Sequence, residues 1–443
     1  ITPTFLSTPR TAALLGKKHF PSLPEGVNER GESRGGALRL HTDALASCKA
    51  KTEIKPEAGR RGTPLFSRYE AHDGSLRKQR RDSAAGRRKM AATEAQLLLG
   101  VGLIEKDTNG DALWVWCYPS TTTAFRDLLL RKCCLTNENK QLHTFLFGQY
   151  KLTWFYITTM EIPEPSTLKR VTHFSIVLTT KDFNPEKYAV FSRILCRIYL
   201  KYGTPVKMME SYISVLTKGI CQSEENGSFL SKDFDIRKAY LAGSVKDIVF
   251  QFGMETVILY TALMLKKRIV VYHPRIETIL EFTRALPALV WHRQDWSILH
   301  SYLHLNDDEL EALKMCPGYI AGCIDSEVNN RIDLYDVYVN LAESEINISQ
   351  QAKEAMTMGK LHKELGQLIV QSAEDPEKSN SQVIKDISLK TKEILTNLAS
   401  FTEVIHNGEK PSLNLEALKQ KRFPPATENF LYHLAAAEQM LKI

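Results

Sequence analysis

Residues 254–291 read METVILYTALMLKKRIVVYHPRIETILEFTRALPALVW, and this stretch decides the fold. Val257–Leu265 is apolar on every side, which predicts a helix buried on all of its faces. At about 11 residues, such a helix is too short to span a bilayer. Ile269–Tyr272 is a β-branched block without polar alternation, and it predicts a central strand covered on both faces.

The remainder of the stretch indicates what covers that strand. His273-Pro274 ends the strand, because proline cannot donate a hydrogen bond to a ladder. A second helix follows and closes on Trp291. Its apolar face is formed by Ile276, Ile279, Leu280 and Leu286. The stretch therefore predicts the centre of an α/β core, and it contains no obvious nucleophile, metal cluster or phosphate loop.

The excess positive charge is confined to the start of the chain. The 443 residues carry a formal net charge of +7. Residues 1–89 hold 19 Lys/Arg and 9 Asp/Glu, a net of +10, so residues 90–443 hold 39 bases and 42 acids, a net of −3. The body of the chain therefore has no charge signal for nucleic-acid binding, and no nucleic-acid partner is expected.

Residues 1–89 also differ from the rest in composition. Leu, Ile, Val and Phe make up only 15 of these 89 residues, which predicts a disordered basic segment without a core. The chain opens with Ile1 and its first methionine is Met90, so we expect the native protein to begin at Met90. The alternative is a genuine basic arm whose clusters, Arg77–Arg81 and Arg87–Lys89, address the nucleus or a membrane surface.

The eight cysteines form no C-x-x-C pair, and most of them lie inside apolar runs. That usage predicts buried free thiols in a reducing compartment. The sequence contains neither a recognisable signal peptide nor a transmembrane run. The sequons at Asn226 and Asn347 therefore carry no weight as glycosylation sites.

The body of the chain divides into three predicted parts. Residues 90–221 show five strand patterns and then two helices, which predicts an α+β lobe. The polar, glycine-containing stretch Cys221–Ser228 marks the predicted boundary with a second α/β lobe, residues 229–347. Residues 348–443 have helical periodicity throughout.

Three apolar stripes within these parts are specific enough to test. The helix after Thr204-Pro205 has its predicted stripe at Val206, Met209, Ile213, Leu216 and Ile220. The next stripe is Met358, Leu361, Leu365 and Leu368. The third runs for three heptads through Ile384, Ile387, Thr391, Ile394, Leu398, Phe401 and Ile405. Two interpretations of this heptad seam are open: it packs on the chain's own core, or it forms a coiled coil with a partner.

Catalytic spacings are missing from the sequence. It has no G-x-x-x-x-G-K-[ST], H-E-x-x-H or G-x-S-x-G motif. Gly100-x-Gly102 is interpreted as structural. His300 and His304 are interpreted as residues that flank a solvated helix rather than as metal ligands. The Lys266–Arg268 cluster is interpreted as a solvated helix end. The sequence thus provides no catalytic, cofactor-binding or metal-binding candidates, and the partner-binding residues stay unassigned.

The order of elements resembles the DENN domain family. The central signature of that family is an apolar helix, a basic residue, a buried strand, a helix reaching a Trp, and a proline-containing segment into a Tyr-Ile-x-Gly strand. The corresponding segments here are Val257–Leu265, Lys267-Arg268, Ile269–Tyr272, Ile276–Leu286, Trp291 and Pro317–Gly322. The resemblance covers residues 90–443 and implies a bilobal module: a longin-like N-terminal lobe (90–221), a central lobe (229–347) and a helical C-terminal part (348–443). One departure is Asp295–Leu299, where family members usually have Ile-Pro-x-Leu-Pro.

The resemblance implies a guanine-nucleotide exchange factor for a Rab-family small GTPase, with the GTPase bound between the two lobes. Such a factor requires no cofactor. The implied location is cytoplasmic and endosomal, with late endosomes expected, and the membrane is reached through partners. The alternative function is a non-catalytic adaptor in an endosomal trafficking complex, held by scaffold or coiled-coil proteins through the heptad seam or the aromatic first lobe.

Overall fold

The computed structural model describes residues 97–136, 142–163, 168–223, 227–403 and 412–441. These residues fold into helices and several sheets, so the predicted mixture of α and β structure is confirmed. The predictions for residues 1–89 lie outside the described residues.

Five strands form the first sheet: β1 (Leu98–Asp107), β2 (Ala112–Tyr118), β3 (Phe145–Tyr150), β4 (Thr153–Glu161) and β5 (Val171–Thr180). They are antiparallel and adjacent in the order β2-β1-β5-β4-β3. Helix α1 (Thr123–Lys132) follows β2, and α2 (Pro185–Tyr202) and α3 (Pro205–Lys218) follow β5. The five predicted strands and the two helices after them are therefore all present.

The predicted apolar stripe of α3 is partly wrong: Ile213 and Leu216 pack against the core, but they are not the most buried positions of the helix. Val206 is 61% exposed, and the fully buried residues of this helix are Met208, Tyr212 and Val215. Both stripes have helical spacing, so periodicity alone does not choose between them. The ring of Tyr212 packs edge-on against Tyr118 at 6.1 Å, and that tertiary contact turns the Tyr212 stripe inward.

The stretch Cys221–Ser228, predicted as a polar boundary, contributes to a small hairpin. Strands β6 (Ile220–Ser223) and β7 (Gly227–Leu230) pair in antiparallel fashion. Cys221 is 1% exposed, because its position on the paired strand directs the thiol into the core.

The next part of the chain builds a second sheet. Its elements are α4 (Ile236–Leu241), α5 (Val245–Phe252), α6 (Thr256–Met264), β8 (Ile269–Tyr272), α7 (Ile276–Ala285), β9 (Leu299–Leu303), α8 (Asp307–Lys314), β10 (Ile320–Cys323), β11 (Val337–Asn340) and β12 (Glu345–Ile348). The strand order is β12-β11-β8-β10-β9, and β8 is parallel to both of its neighbours. Ile269, Val270 and Val271 are at most 1% exposed, so the predicted central buried strand is confirmed.

Strand β11 is shorter than the predicted strand Asp333–Leu341. The residues before Val337 do not pair as a strand but bind the side chain of Arg268. The Arg268 guanidinium donates to the Asp333 carbonyl at 2.7 Å and forms an ion pair with Asp336 at 3.1 Å.

Helix α6 is buried as predicted, and the apolar segment around it is longer than the sequence analysis assumed. Ile236–Met264 is long and apolar enough to cross a bilayer by length and composition alone. However, 61% of its most apolar window is buried inside the protein, and Gly253 breaks the segment with φ of 51°. These observations favour a core helix.

The remaining elements are α9 (Lys360–Glu374), α10 (Asn380–Ala399), β13 (Thr402–Glu403), β14 (Ser412–Leu413), α11 (Leu415–Gln420) and α12 (Pro425–Ala437). The heptad seam packs on the chain's own core: Ile384, Ile387, Thr391, Ile394 and Leu398 are at most 4% exposed. Helix α10 ends at Ala399, so Phe401 extends the seam beyond the helix, and Ile405 lies outside the described residues.

The predicted face of α9 is partly wrong. Leu365 is buried, but Leu361 and Leu368 are half-exposed, and His362, Gly366 and Ile369 share the buried face instead. A Cβ added at Gly366 would lie 2.8 Å from the Met254 methyl carbon. The close approach that glycine permits therefore rotates the helix away from the predicted face.

We expect Leu398→Ala to lower the free energy of unfolding by ~2–5 kcal/mol, because Leu398 is 0% exposed and its truncation leaves a cavity. Thermal melting of the isolated protein measures this loss. The matched control is Leu389→Ala on the same helix, where the side chain is 58% exposed. Equal melting temperatures for both variants would contradict burial of the seam.

Candidate functional site at the junction of the two sheets

The two large sheets meet edge to edge, with strand β3 of the first beside strand β9 of the second. The side-chain amide of Gln149 on β3 donates to the carbonyls of Ser297 at 3.1 Å and Leu299 at 3.4 Å. Gln149 is only 8% exposed, so these contacts are shielded from water. Buried hydrogen bonds therefore join the two sheets at this edge.

A groove of about 380 Å³ lies across this junction, between β3, the start of α2 and helix α7. Its apolar lining comes from Phe145, Phe147, Pro185, Ala189, Val190 and Leu280. Its charged lining comes from Glu186, Glu277, Glu281, Arg193 and Arg284. We call this set of residues the junction groove. It combines an apolar floor with a charged rim of three carboxylates and two arginines.

Arg284 holds the walls of the junction groove together. Its guanidinium donates to Glu186 on α2 at 2.8 Å and to the Ala239 carbonyl of α4 at 3.2 Å. The guanidinium carbon also lies 5.9 Å from the Phe147 ring centroid and 5.8 Å from that of Phe183, within cation–π range. One side chain on α7 therefore contacts three other elements.

His143 forms a second link at the rim. Its Nδ1 lies 2.6 Å from a carboxylate oxygen of Glu277 at the start of α7. Partial burial raises the pKa of Glu277, but the hydrogen bond with His143, a backbone hydrogen bond and the charges of His143 and Arg275 together outweigh it and lower the pKa of the carboxyl. Glu277 is therefore an anion at neutral pH. Its side chain is 49% exposed to solvent.

Helix α7 has a second groove on its other side. This groove, of about 360 Å³, is lined by residues of α5 and of the turn before it, including Ser244, Asp247 and Gln251. It shares Glu281 and Arg284 with the junction groove. The exposed face of α7 is thus a ridge flanked by two depressions, a shape that suits a protein surface better than a small molecule.

A buried ion pair fastens the first sheet's helix α1 to the second sheet below the junction. Lys132 Nζ lies 2.6 Å from Glu309 Oε2 and donates to the Tyr302 carbonyl at 2.7 Å. The two side chains are 1% and 5% exposed. The Lys132 ammonium also lies 4.4 Å from the centroid of the Tyr302 ring. We call Lys132 and Glu309 the clamp pair.

Burial and the attraction between the two side chains act in opposite directions on the pKa values of the clamp pair. Burial alone would raise the pKa of Glu309, but a hydrogen bond with His304 and the charge of Lys132 outweigh it and lower that pKa to about 2. Burial lowers the pKa of Lys132, and the attraction to Glu309 opposes this shift. The His304 ring is held in turn by the Tyr302 hydroxyl at 2.9 Å. The pair is a structural connection rather than a reactive centre.

Acidification is expected to remove the contribution of Glu309 to stability. Its folded pKa of about 2 lies below the ordinary 4.5, so the stabilisation is complete above pH 4.5 and is lost as the pH falls toward 2. The check is the difference in melting temperature between the protein and Glu309→Gln. It should be large at neutral pH and shrink through that window; a constant difference would contradict the ionised pair.

The structure places the other sequence candidates outside the junction groove. His300 lies on strand β9 and is 9% exposed, so its predicted place beside a solvated helix is wrong. Burial lowers its pKa to about 4. Over the ranges that the structure describes, no group of three or more His, Cys, Asp or Glu is arranged to hold a metal ion.

The two remaining sequence interpretations have different outcomes. Gly102 is structural as predicted, because a Cβ there would lie 2.6 Å from the Trp114 ring. The Lys266–Arg268 cluster is not simply a solvated helix end, since Arg268 is bound to Asp336. Sequence reasoning missed Arg284 and Lys132 altogether. No local signal marks either residue, since Lys132 stands beside Arg131 in the last turn of α1 and Arg284 is a base in the last turn of α7.

Comparison with known proteins places this geometry in a family. The family model described as "SPA: Stabilization of polarity axis" matches residues 243–350, which include α7 and the second sheet. DENN domain-containing protein 10 of Homo sapiens is 80% identical over 357 residues, covering 80% of this chain and 100% of the relative. The protein of the same name from Danio rerio is 69% identical over 348 residues (79% and 99%), and that from Dictyostelium discoideum 36% over 362 residues (78% and 99%).

Proposed function

Because the chain belongs to the family of DENN domain-containing protein 10, we propose that it is a guanine-nucleotide exchange factor for a Rab-family small GTPase. The junction groove is the proposed GTPase site, in line with a partner bound between the lobes 90–221 and 229–347. The observation that carries the proposal is the combination of an apolar floor with a charged rim of three carboxylates and two arginines, supported by a fixed junction.

An exchange factor of this kind acts by differential affinity. It accelerates GDP loss when it binds the nucleotide-free GTPase more tightly than the GDP-bound form. A GTPase that has lost GDP leaves the lysine of its phosphate-binding loop without its phosphate partners. Glu281 lines the junction groove and offers its carboxylate to such a basic surface, whereas Glu186 and Glu277 would have to exchange their contacts with Arg284 and His143 for it. No nucleophile or metal is needed for this step.

A non-catalytic adaptor of an endosomal trafficking complex is the second candidate. Burial of the heptad seam removes one of its two predicted attachment surfaces. The second predicted attachment surface, on the aromatic first lobe, is still available. Leu113 is 58% and Val115 is 49% exposed on β2, an edge strand of the first sheet. Unpaired edge strands accept an added strand from another chain. For both candidates we propose a cytoplasmic location on late endosomes.

Release of fluorescent GDP from a panel of Rab proteins, with the full chain added, tests the proposal. Accelerated release from one Rab supports exchange. The matched variants are Val190→Glu, inside the junction groove, and Leu389→Glu, on an exposed position of α10. Only the first should abolish acceleration. Stoichiometric recovery of scaffold proteins in a pull-down, without release from any Rab, would favour the adaptor instead.

A further inference from the structure

The connection between α2 and α3 forms a tight corner, residues 201–207. Gly203 ends α2 in the left-handed conformation with φ of 63°, and its N–H donates to the Tyr199 carbonyl. The Thr204 hydroxyl then accepts from the Val206 amide, and Pro205 occupies the first turn of α3. Two residues therefore join the helices, and each helix end is capped, so the corner has a defined shape.

This α2–α3 corner carries two apolar side chains into solvent. Tyr202 is 51% exposed and Val206 is 61% exposed, one on each side of the turn. Neither residue lines the junction groove or the groove beside it.

The residues around the corner carry a net positive charge, although residues 90–443 as a whole do not. Residues 187–209 contain five bases and no acid, whereas residues 90–443 carry a net charge of −3. Lys187 is buried, but the other four bases, Arg193, Arg197, Lys201 and Lys207, are exposed. Three of them recur every four residues along α2 and share one face of that helix. Glu210 offsets part of this charge through its 2.9 Å contact with Lys207.

We propose that the α2–α3 corner binds directly to an anionic lipid bilayer. Tyr202 and Val206 would enter the boundary between headgroups and acyl chains, where an aromatic ring with a polar tip is favoured. The exposed bases would contact anionic headgroups, each strengthening binding roughly fivefold. An exposed apolar pair flanked by long basic side chains is the combination with which proteins bind anionic membrane surfaces. The proposal does not depend on the exchange function, and it adds a membrane contact that needs no partner.

Co-sedimentation of the full chain with vesicles tests this contact. We expect binding to vesicles of phosphatidylcholine with phosphatidylserine, weak binding to phosphatidylcholine alone, and a loss of binding as salt is raised. Tyr202→Ser/Val206→Ser should lower partition roughly tenfold, since both lose apolar area that would leave water. Lys201→Gln/Lys207→Gln should lower it by a factor of roughly 10 or more.

Matched variants elsewhere keep the test decisive. Met315→Ser/Ile332→Ser removes two side chains that are 85% and 63% exposed, and Lys419→Gln/Lys421→Gln removes two exposed bases. Neither control should change partition. All substitutions lie at exposed positions, and melting curves verify that each variant folds. Equal binding by corner and control variants, or binding only when an acidic protein is attached to the vesicles, would overturn the proposal.

Discussion

Val270→Asp is expected to prevent the second sheet from folding. Val270 is 1% exposed on β8, which pairs with β10 on one side and β11 on the other. A carboxylate there has no partner, and burying it costs several kcal/mol, a large part of the ~5–15 kcal/mol that stabilises a domain. Circular dichroism and thermal melting measure the effect.

The control for this substitution is Val115→Asp, at a strand position that is 49% exposed on β2. Its melting temperature should change little, because its carboxylate stays in water. A soluble Val270→Asp protein that melts like the Val115→Asp control would refute the buried central strand.

Lys132→Ala is expected to lower the free energy of unfolding by ~3–5 kcal/mol, because it leaves the Glu309 carboxylate buried without its partner. Lys207→Ala removes an exposed base from a solvent-screened ion pair with Glu210, so it should change stability little and serves as control. Chemical denaturation of both variants gives the comparison.

A double substitution separates charge from packing at the clamp pair. Lys132→Met/Glu309→Leu removes both buried charges and keeps most of the volume, so it should recover much of the stability that Lys132→Ala loses. If the double variant is less stable than Lys132→Ala, the loss does not come from the unpaired carboxylate, and the interpretation of the pair is wrong.

The central strand and its covering helices were predictable because their signals are local. Ile269–Tyr272 has one β-branched residue after another, and Val257–Leu265 has no polar face. The burial of each segment can therefore be predicted from its own residues. The stripe of α3 was not predictable in the same way, since two stripes at helical spacing compete and the contact between Tyr212 and Tyr118 decides between them.

The junction groove had no signal of its own in the sequence. Phe147, Glu186 and Arg284 are far apart in the sequence. They meet because β3 and β9, the edge strands of the two sheets, lie side by side. Lys132 stands in the last turn of α1, where a base ordinarily complements the helix dipole. Its burial depends on Glu309, which follows it by 177 residues. The resemblance to the DENN family supplied the expectation of a site between lobes, and the junction groove is the candidate that we propose for it.

The most direct test of the central claim is the affinity of the full chain for one Rab protein in its nucleotide-free and GDP-bound forms, measured for the protein, Val190→Glu and the control Leu389→Glu. The claim predicts that the protein and Leu389→Glu bind the nucleotide-free form at least tenfold more tightly, a difference of about 1.4 kcal/mol. It also predicts that Val190→Glu loses this preference while it melts normally. Equal affinity of the unmodified protein for both forms, or a preference that survives Val190→Glu, would contradict exchange at the junction groove.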